Sequence, residues 1–190
     1  MEQNLNTKRV SPLKSIFELV RYVAYALAIV FVVRTYIAQP FVVSGSSMVP
    51  TFEDREYLIV DEMSYRFHEP ERGDVIVFKY PKNPSQFFIK RVIGLPGETV
   101  TIDGSKITIT DTSGNKINLE EPYVKNTSFN DEEYLVGEGE YFVMGDNRSA
   151  SSDSRSWGNL KKEFIVGQPF VRLFPVSTLD LMPGKFQNYK

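Results

Sequence analysis

A serine in a glycine-containing turn and a lysine on an apolar strand can together make an activated alcohol, and this sequence offers both. Ser44-Gly45-Ser46-Ser47-Met48-Val49-Pro50-Thr51 follows the apolar run Phe41-Val42-Val43. Such a turn exposes a hydroxyl and leaves backbone N–H groups free to stabilise an oxyanion. Taken alone it also reads as an ordinary serine-rich turn. A serine nucleophile needs a base. His68 is the only histidine in the chain, and it sits beside the charged turn Glu69–Asp74, where a surface histidine is expected. A Ser–His–Asp arrangement is therefore disfavoured. With one histidine and no cysteine, thiol catalysis and disulfides are excluded, and a metal site has only carboxylates to draw on.

Lysine remains. In Phe88-Ile89-Lys90-Arg91-Val92-Ile93, strand alternation puts Lys90 on one face with Phe88 and Val92, and Arg91 on the other with Ile89 and Ile93. A lysine among apolar side chains is desolvated, which lowers its pKa toward the range a base needs at neutral pH. The alternative is a lysine that snorkels to solvent or pairs with a carboxylate. A third segment, Gly145 to Arg155, is dense in hydrogen-bonding groups. Asp153 with Arg155, or Asp146 with Arg148, can form ion pairs that fix a loop, and a nearby serine can orient the lysine amine. The same segment also reads as a solvated polar loop.

These groups need a frame. The chain has 190 residues, 42% hydrophobic and 13% aromatic, which suffices for one domain with a core and an appendage. Short β-prone runs separated by turn signals predict a mainly antiparallel β domain. They are Tyr57–Val60, Val75–Tyr80, Phe87–Ile93, Thr99–Thr110 folded about Asp103-Gly104, Tyr141–Met144 and Val166–Leu173. Residues 111–140 are more polar and acidic and are expected to form a variable surface region without a chemical role. The net charge of −2 argues against a nucleic-acid binder.

The first 38 residues carry +3 and the rest −5. Tyr22–Val33, YVAYALAIVFVV, is free of charge, and Ile16–Ala38 reaches the ~20 residues of a membrane span, with Arg21 and Arg34 near its ends. The domain reading is a cytoplasmic tail at 1–15, a transmembrane anchor at 16–38 and a β domain at 39–190. Basic residues before the span put the N-terminus in the cytoplasm and the domain outside. A buried core helix and a cleaved leader are the alternatives.

Four blocks in this order resemble the type I signal peptidases, a family of Ser–Lys serine proteases. They are Gly45–Thr51, Arg72–Phe78, Ile89–Gly97, and Gly145-Asp146-Asn147-Arg148 through Asp153-Ser154-Arg155. The resemblance implies a signal-peptidase-like β domain with a small β extension, behind a single-pass anchor in the cell membrane. It implies Ser47 as nucleophile, Lys90 as general base and Ser151 as the serine that bonds the lysine amine. It also implies Asp153 and Arg155 as a structural ion pair behind the site. Ser47 N–H is the first oxyanion donor. Some members have a serine where this chain has Gly45, so the second donor is left to another N–H, the Ser46 hydroxyl or a water. The implied substrates are preproteins with small residues at the first and third positions before the cut, held in shallow pockets near Phe41–Val43 and Val75–Phe78. The implied partners are those preproteins and a lipid bilayer, with no cofactor, metal or nucleic acid. A self-cleaving Ser–Lys regulator and a catalytically inactive anchored module are the rival readings.

Overall fold

The computed structural model describes residues 12–36, 38–124 and 131–185, which fall into two compact units, Met1–Ile37 and Ala38–Lys190. The first unit contains one helix, α1 (Pro12–Tyr36). Its described side chains run from Ile16 to Phe31 and are exposed almost throughout. Among the described residues no helix is long and apolar enough to cross a membrane. The anchor expected at 16–38 lies partly outside the described side chains, and the tail expected at 1–15 wholly outside them.

The second unit is built from strands. In chain order they are β1 (Ala38–Val42), β2 (Tyr57–Asp61), β3 (Val75–Tyr80) and β4 (Asn83–Gly94). Next come β5 (Thr99–Asp103), β6 (Lys106–Thr110), β7 (Lys116–Asn118) and β8 (Glu132–Leu135). β9 (Glu140–Met144), β10 (Leu160–Lys161), β11 (Ile165–Phe174) and β12 (Asp180–Leu181) complete the set. Two single-turn helices interrupt them, α2 (Ser64–Phe67) and α3 (Ser154–Trp157).

All pairings are antiparallel, as the sequence predicts. The larger sheet runs β1-β2-β11-β3-β4-β9-β10, with β12 added to β11. The smaller runs β7-β6-β5-β8 and forms the β extension. Its hairpin turns at Asp103-Gly104, and Gly104 takes φ +56°, a value that favours residues without a Cβ. Val100, Ile102, Ile107 and Ile109 alternate inward and close a core with Ile93, Phe142 and Met144 from the larger sheet. β11 is long enough to pair with β2 at one end and β3 at the other. It breaks register around Pro169, which has no N–H for the ladder.

Two features of this frame matter for chemistry. β9 pairs with β4 only at Arg91, Val92 and Gly94, so residues 87–90 of β4 have β3 on one side and no strand on the other. β1 is likewise the edge of its sheet. Two strand edges are thus left to line a cleft.

Candidate active site

Ser47 leaves β1 on a loop that is fixed from below. Met48 and Phe52 are fully buried against Val43, Leu58 and Val75, and Phe52 N–H donates to Met48 O at 2.9 Å. Gly45 turns the chain at φ +92°, and its N–H donates to Asp54 Oδ1 at 2.8 Å. Burying Met48 and Phe52 leaves Ser47 at the surface of the core, its hydroxyl toward β4.

There it meets Lys90. Nζ lies 2.7 Å from Ser47 Oγ and 2.8 Å from Ile89 O. The residue is 3% exposed and its amine stands 5.3 Å from the centre of the Phe88 ring. Burial pushes the amine down to about 8, against the pull of Asp153 and Asp146, which favour its charged form. Neither carboxylate bonds it directly: Asp153 is taken by Arg155 and Asp146 by Arg91. An alcohol and a desolvated amine at hydrogen-bond distance are the parts of an activated nucleophile.

The loop 145–155 clamps this pair. Asn147 N–H donates to Ser47 O at 3.0 Å and Asn147 Nδ2 to Ser46 O at 3.0 Å. Gly145 is tight against both Ser47 O and Ser151 Oγ, where a Cβ would stand 2.4 and 2.3 Å away, so only glycine allows the loops this close. Asp153 receives two guanidinium bonds from Arg155, both at 2.7 Å, and Gly145 N–H at 3.1 Å. Arg155 Nη2 also donates to Arg148 O, so the expected Asp153–Arg155 pair ties the loop to itself.

The other expected pair is replaced. Asp146 does not bond Arg148. It accepts from Arg91 Nε at 2.9 Å and Nη2 at 2.6 Å, and from the Thr51 hydroxyl at 2.5 Å. Arg91 is 1% exposed and donates further to Gly73 O and Gly184 O. The fork of Arg91 matches a carboxylate in two bonds from the opposite side of β4, which the alternation at Lys90 already implies. Arg148 instead pairs with Glu121 at 2.5 Å and donates to Gly145 O. Glu121 also accepts from the Tyr123 hydroxyl, and the Tyr123 ring lies 4.2 Å under the Arg91 guanidinium. The acidic stretch 111–140, expected to carry no chemistry, therefore neutralises a buried arginine of the site loop. An acidic surface sequence gives no sign of that. Ser151 departs as well: its Oγ is buried and has no hydrogen-bond partner, so the bond expected to the Lys90 amine is not made in this geometry. Ser46 is exposed beside the nucleophile.

A cleft of about 570 Å³ opens at Ser47 and Lys90. Phe41 of β1 and Val43 just past its end line one wall, the outer half of β4 lines the other with Phe87 and Ile89, and Leu58 and Val77 form the floor. These include residues from both strands named as pocket candidates. Two facing strand edges can receive an extended peptide through its main chain, with pockets for alternate side chains.

Comparison with known proteins agrees with the four sequence blocks. Residues 16–174 match the family described as signal peptidase, peptidase S26. A probable signal peptidase I-1 of a Synechocystis species is 37% identical over 180 residues, covering 90% of this chain and 89% of its own. A signal peptidase IB of Staphylococcus aureus is 33% identical over 183 residues, covering 86% and 92%. A solved signal peptidase I from Enterococcus faecalis is 35% identical with a TM-score of 0.46, over 53% of this chain and 97% of its own.

Proposed function

The chain belongs to the signal peptidase family, peptidase S26, and on that premise we propose that it is a serine-type endopeptidase that removes N-terminal signal peptides from exported preproteins, with Ser47 as nucleophile and Lys90 as general base. The observation that carries the roles is the 2.7 Å approach of a buried, weakly basic amine to Ser47 Oγ. A lysine held near its ordinary value would be almost wholly protonated at neutral pH. One held at about 8 is neutral in roughly a tenth of molecules at pH 7.

The neutral amine takes the proton of Ser47 Oγ as that oxygen bonds the scissile carbonyl carbon. Ser47 N–H steadies the resulting oxyanion. Gly45 N–H is committed to Asp54, so the second donor is another N–H, the Ser46 hydroxyl or a water. Collapse of the adduct breaks the C–N bond, and the Lys90 ammonium returns its proton to the departing amine. Water then gives a proton to the neutral Lys90 amine as its oxygen bonds the acyl carbon, and collapse breaks the bond to Ser47 Oγ, which takes that proton back from Lys90. Ser151 Oγ has no bond to lose, so it can turn to orient the amine when substrate arrives. Asp146, Arg148, Asp153 and Arg155 hold the loop that carries it.

The membrane location is part of this proposal. It rests on the apolar run 22–33 and the excess of basic residues before it, which on the positive-inside pattern puts the N-terminus in the cytoplasm and residues 39–190 outside. Confinement to that surface raises the local concentration of tethered preproteins.

Incubating the purified protein with a preprotein tests the reading. Cleavage between molecules, lost in both Ser47→Ala and Lys90→Ala, is the expected result. Activity that survives Lys90→Ala contradicts the assignment of the base.

A further inference from the structure

Asn147 sits between two anchored neighbours. Asp146 is held by the Arg91 fork and the Thr51 hydroxyl, and Arg148 by Glu121. From that fixed position Asn147 grips the nucleophile loop twice. Its backbone N–H donates to Ser47 O at 3.0 Å, and its Nδ2 donates to Ser46 O at 3.0 Å. Its Oδ1 accepts from the Ser149 hydroxyl at 3.3 Å, which keeps the amide nitrogen toward Ser46. The two carbonyls it grips flank the Cα of Ser47. Val49 N–H also donates to Ser46 O, at 3.2 Å, but from inside the same loop. Asn147 is not among the residues that line the cleft.

We propose that Asn147 is a positioning residue for the oxyanion: its amide fixes and polarises the peptide unit whose N–H, on Ser47, meets the developing charge. The proposal rests on the peptidase reading above, in which Ser47 N–H is the first oxyanion donor. Ser46 O and Ser47 N–H belong to one planar peptide unit and point opposite ways, so neither turns without the other. Holding the oxygen therefore aims the N–H. A bond donated to a carbonyl also strengthens the N–H of the same unit as a donor. The unit needs such a hold because it lies next to Gly45, at φ +92°, a residue type whose backbone is the least restricted. A donor aimed before the charge develops acts on the transition state and not on the bound substrate, so Asn147 bears on kcat and not on KM.

The test uses the full chain and a peptide substrate, at a pH above the Lys90 midpoint of about 8, so that the state of the base does not enter. Asn147→Ala removes the amide and keeps the backbone bond to Ser47 O. It is expected to lower kcat about tenfold with KM unchanged, less than the about hundredfold effect of losing an oxyanion donor outright. Two inhibitors of one sequence separate aim from fit. With a peptide aldehyde, Ser47 Oγ bonds the aldehyde carbon and the serine proton passes through Lys90 to the former carbonyl oxygen, which takes the place of the oxyanion. The matching peptide alcohol forms no such bond. Asn147→Ala is expected to weaken the aldehyde about tenfold and to leave the alcohol unchanged. Asn147→Asp has the same size and keeps an acceptor for Ser149, but has no N–H for Ser46 O. It is expected to share both losses, and it decides the matter where the alanine variant shows a lowered urea midpoint. Unchanged kcat in either variant, a loss confined to KM, or equal weakening of aldehyde and alcohol overturns the proposal. Wild type that leaves both peptide and preprotein intact overturns the peptidase reading instead, and this proposal with it.

Discussion

Lys90 and Arg91 are neighbours on β4, both basic and both buried, yet the two faces of the strand treat them oppositely. On one face Arg91 meets Asp146 in a two-bond fork and keeps its charge. On the other Lys90 meets a hydroxyl and a carbonyl, with no carboxylate in direct contact, and its pKa falls to about 8. Burial alone does not decide protonation; the partner does. One strand thereby supplies a fixed charge that holds the loop 145–155 and an amine free to move a proton.

Lys90→Arg breaks the comparison most severely, since a guanidinium cannot give up its proton under these conditions. Cleavage of a peptide substrate is expected to fall ~10³-fold or more. Arg91→Ala strands Asp146 as an unpaired buried charge, and urea unfolding is expected to show a loss of about 3–5 kcal/mol. Lys90→Met goes the other way. The folded pKa of Lys90 lies below its unfolded value, so wild type has that group's full contribution only above about 10.5 and loses it as pH falls toward 8. An apolar replacement escapes the loss. It is expected to be inactive but about 3 kcal/mol more stable than wild type at pH 7, with the gap closing between pH 8 and 10.5. Identical gaps at pH 7 and 10.5 would show that Lys90 is not depressed. Lys162→Ala removes an exposed ion pair with Glu69 and serves as the contrast, with an expected change of no more than ~0.5 kcal/mol.

Local pattern was enough to reach much of this site from the residues alone. Alternation in β4 placed Lys90 and Arg91 on opposite faces, and β-prone runs between turns marked most strands of the larger sheet. The turn at Gly45 marked where a hydroxyl leaves the core. What alternation cannot supply is which distant residue fills the other side of each face. Asp146 is 55 positions from Arg91 and Glu121 is 27 from Arg148. Chain proximity suggests Arg148 as the partner of Asp146, whereas the sheet brings Arg91 to it. Glu121 gives no signal, because an acidic stretch reads as solvated unless a buried arginine such as Arg148 lies against it. The Ser151 hydroxyl was assigned by resemblance to a bond that depends on side-chain rotation, which sequence does not encode.

The central claim is that Lys90 is an uncharged amine near neutral pH. Titrating the Lys90 Cε resonance of selectively labelled, folded protein by NMR measures this directly. A midpoint close to 8 is the predicted result. A midpoint near 10.5, the ordinary value for lysine, would contradict the account.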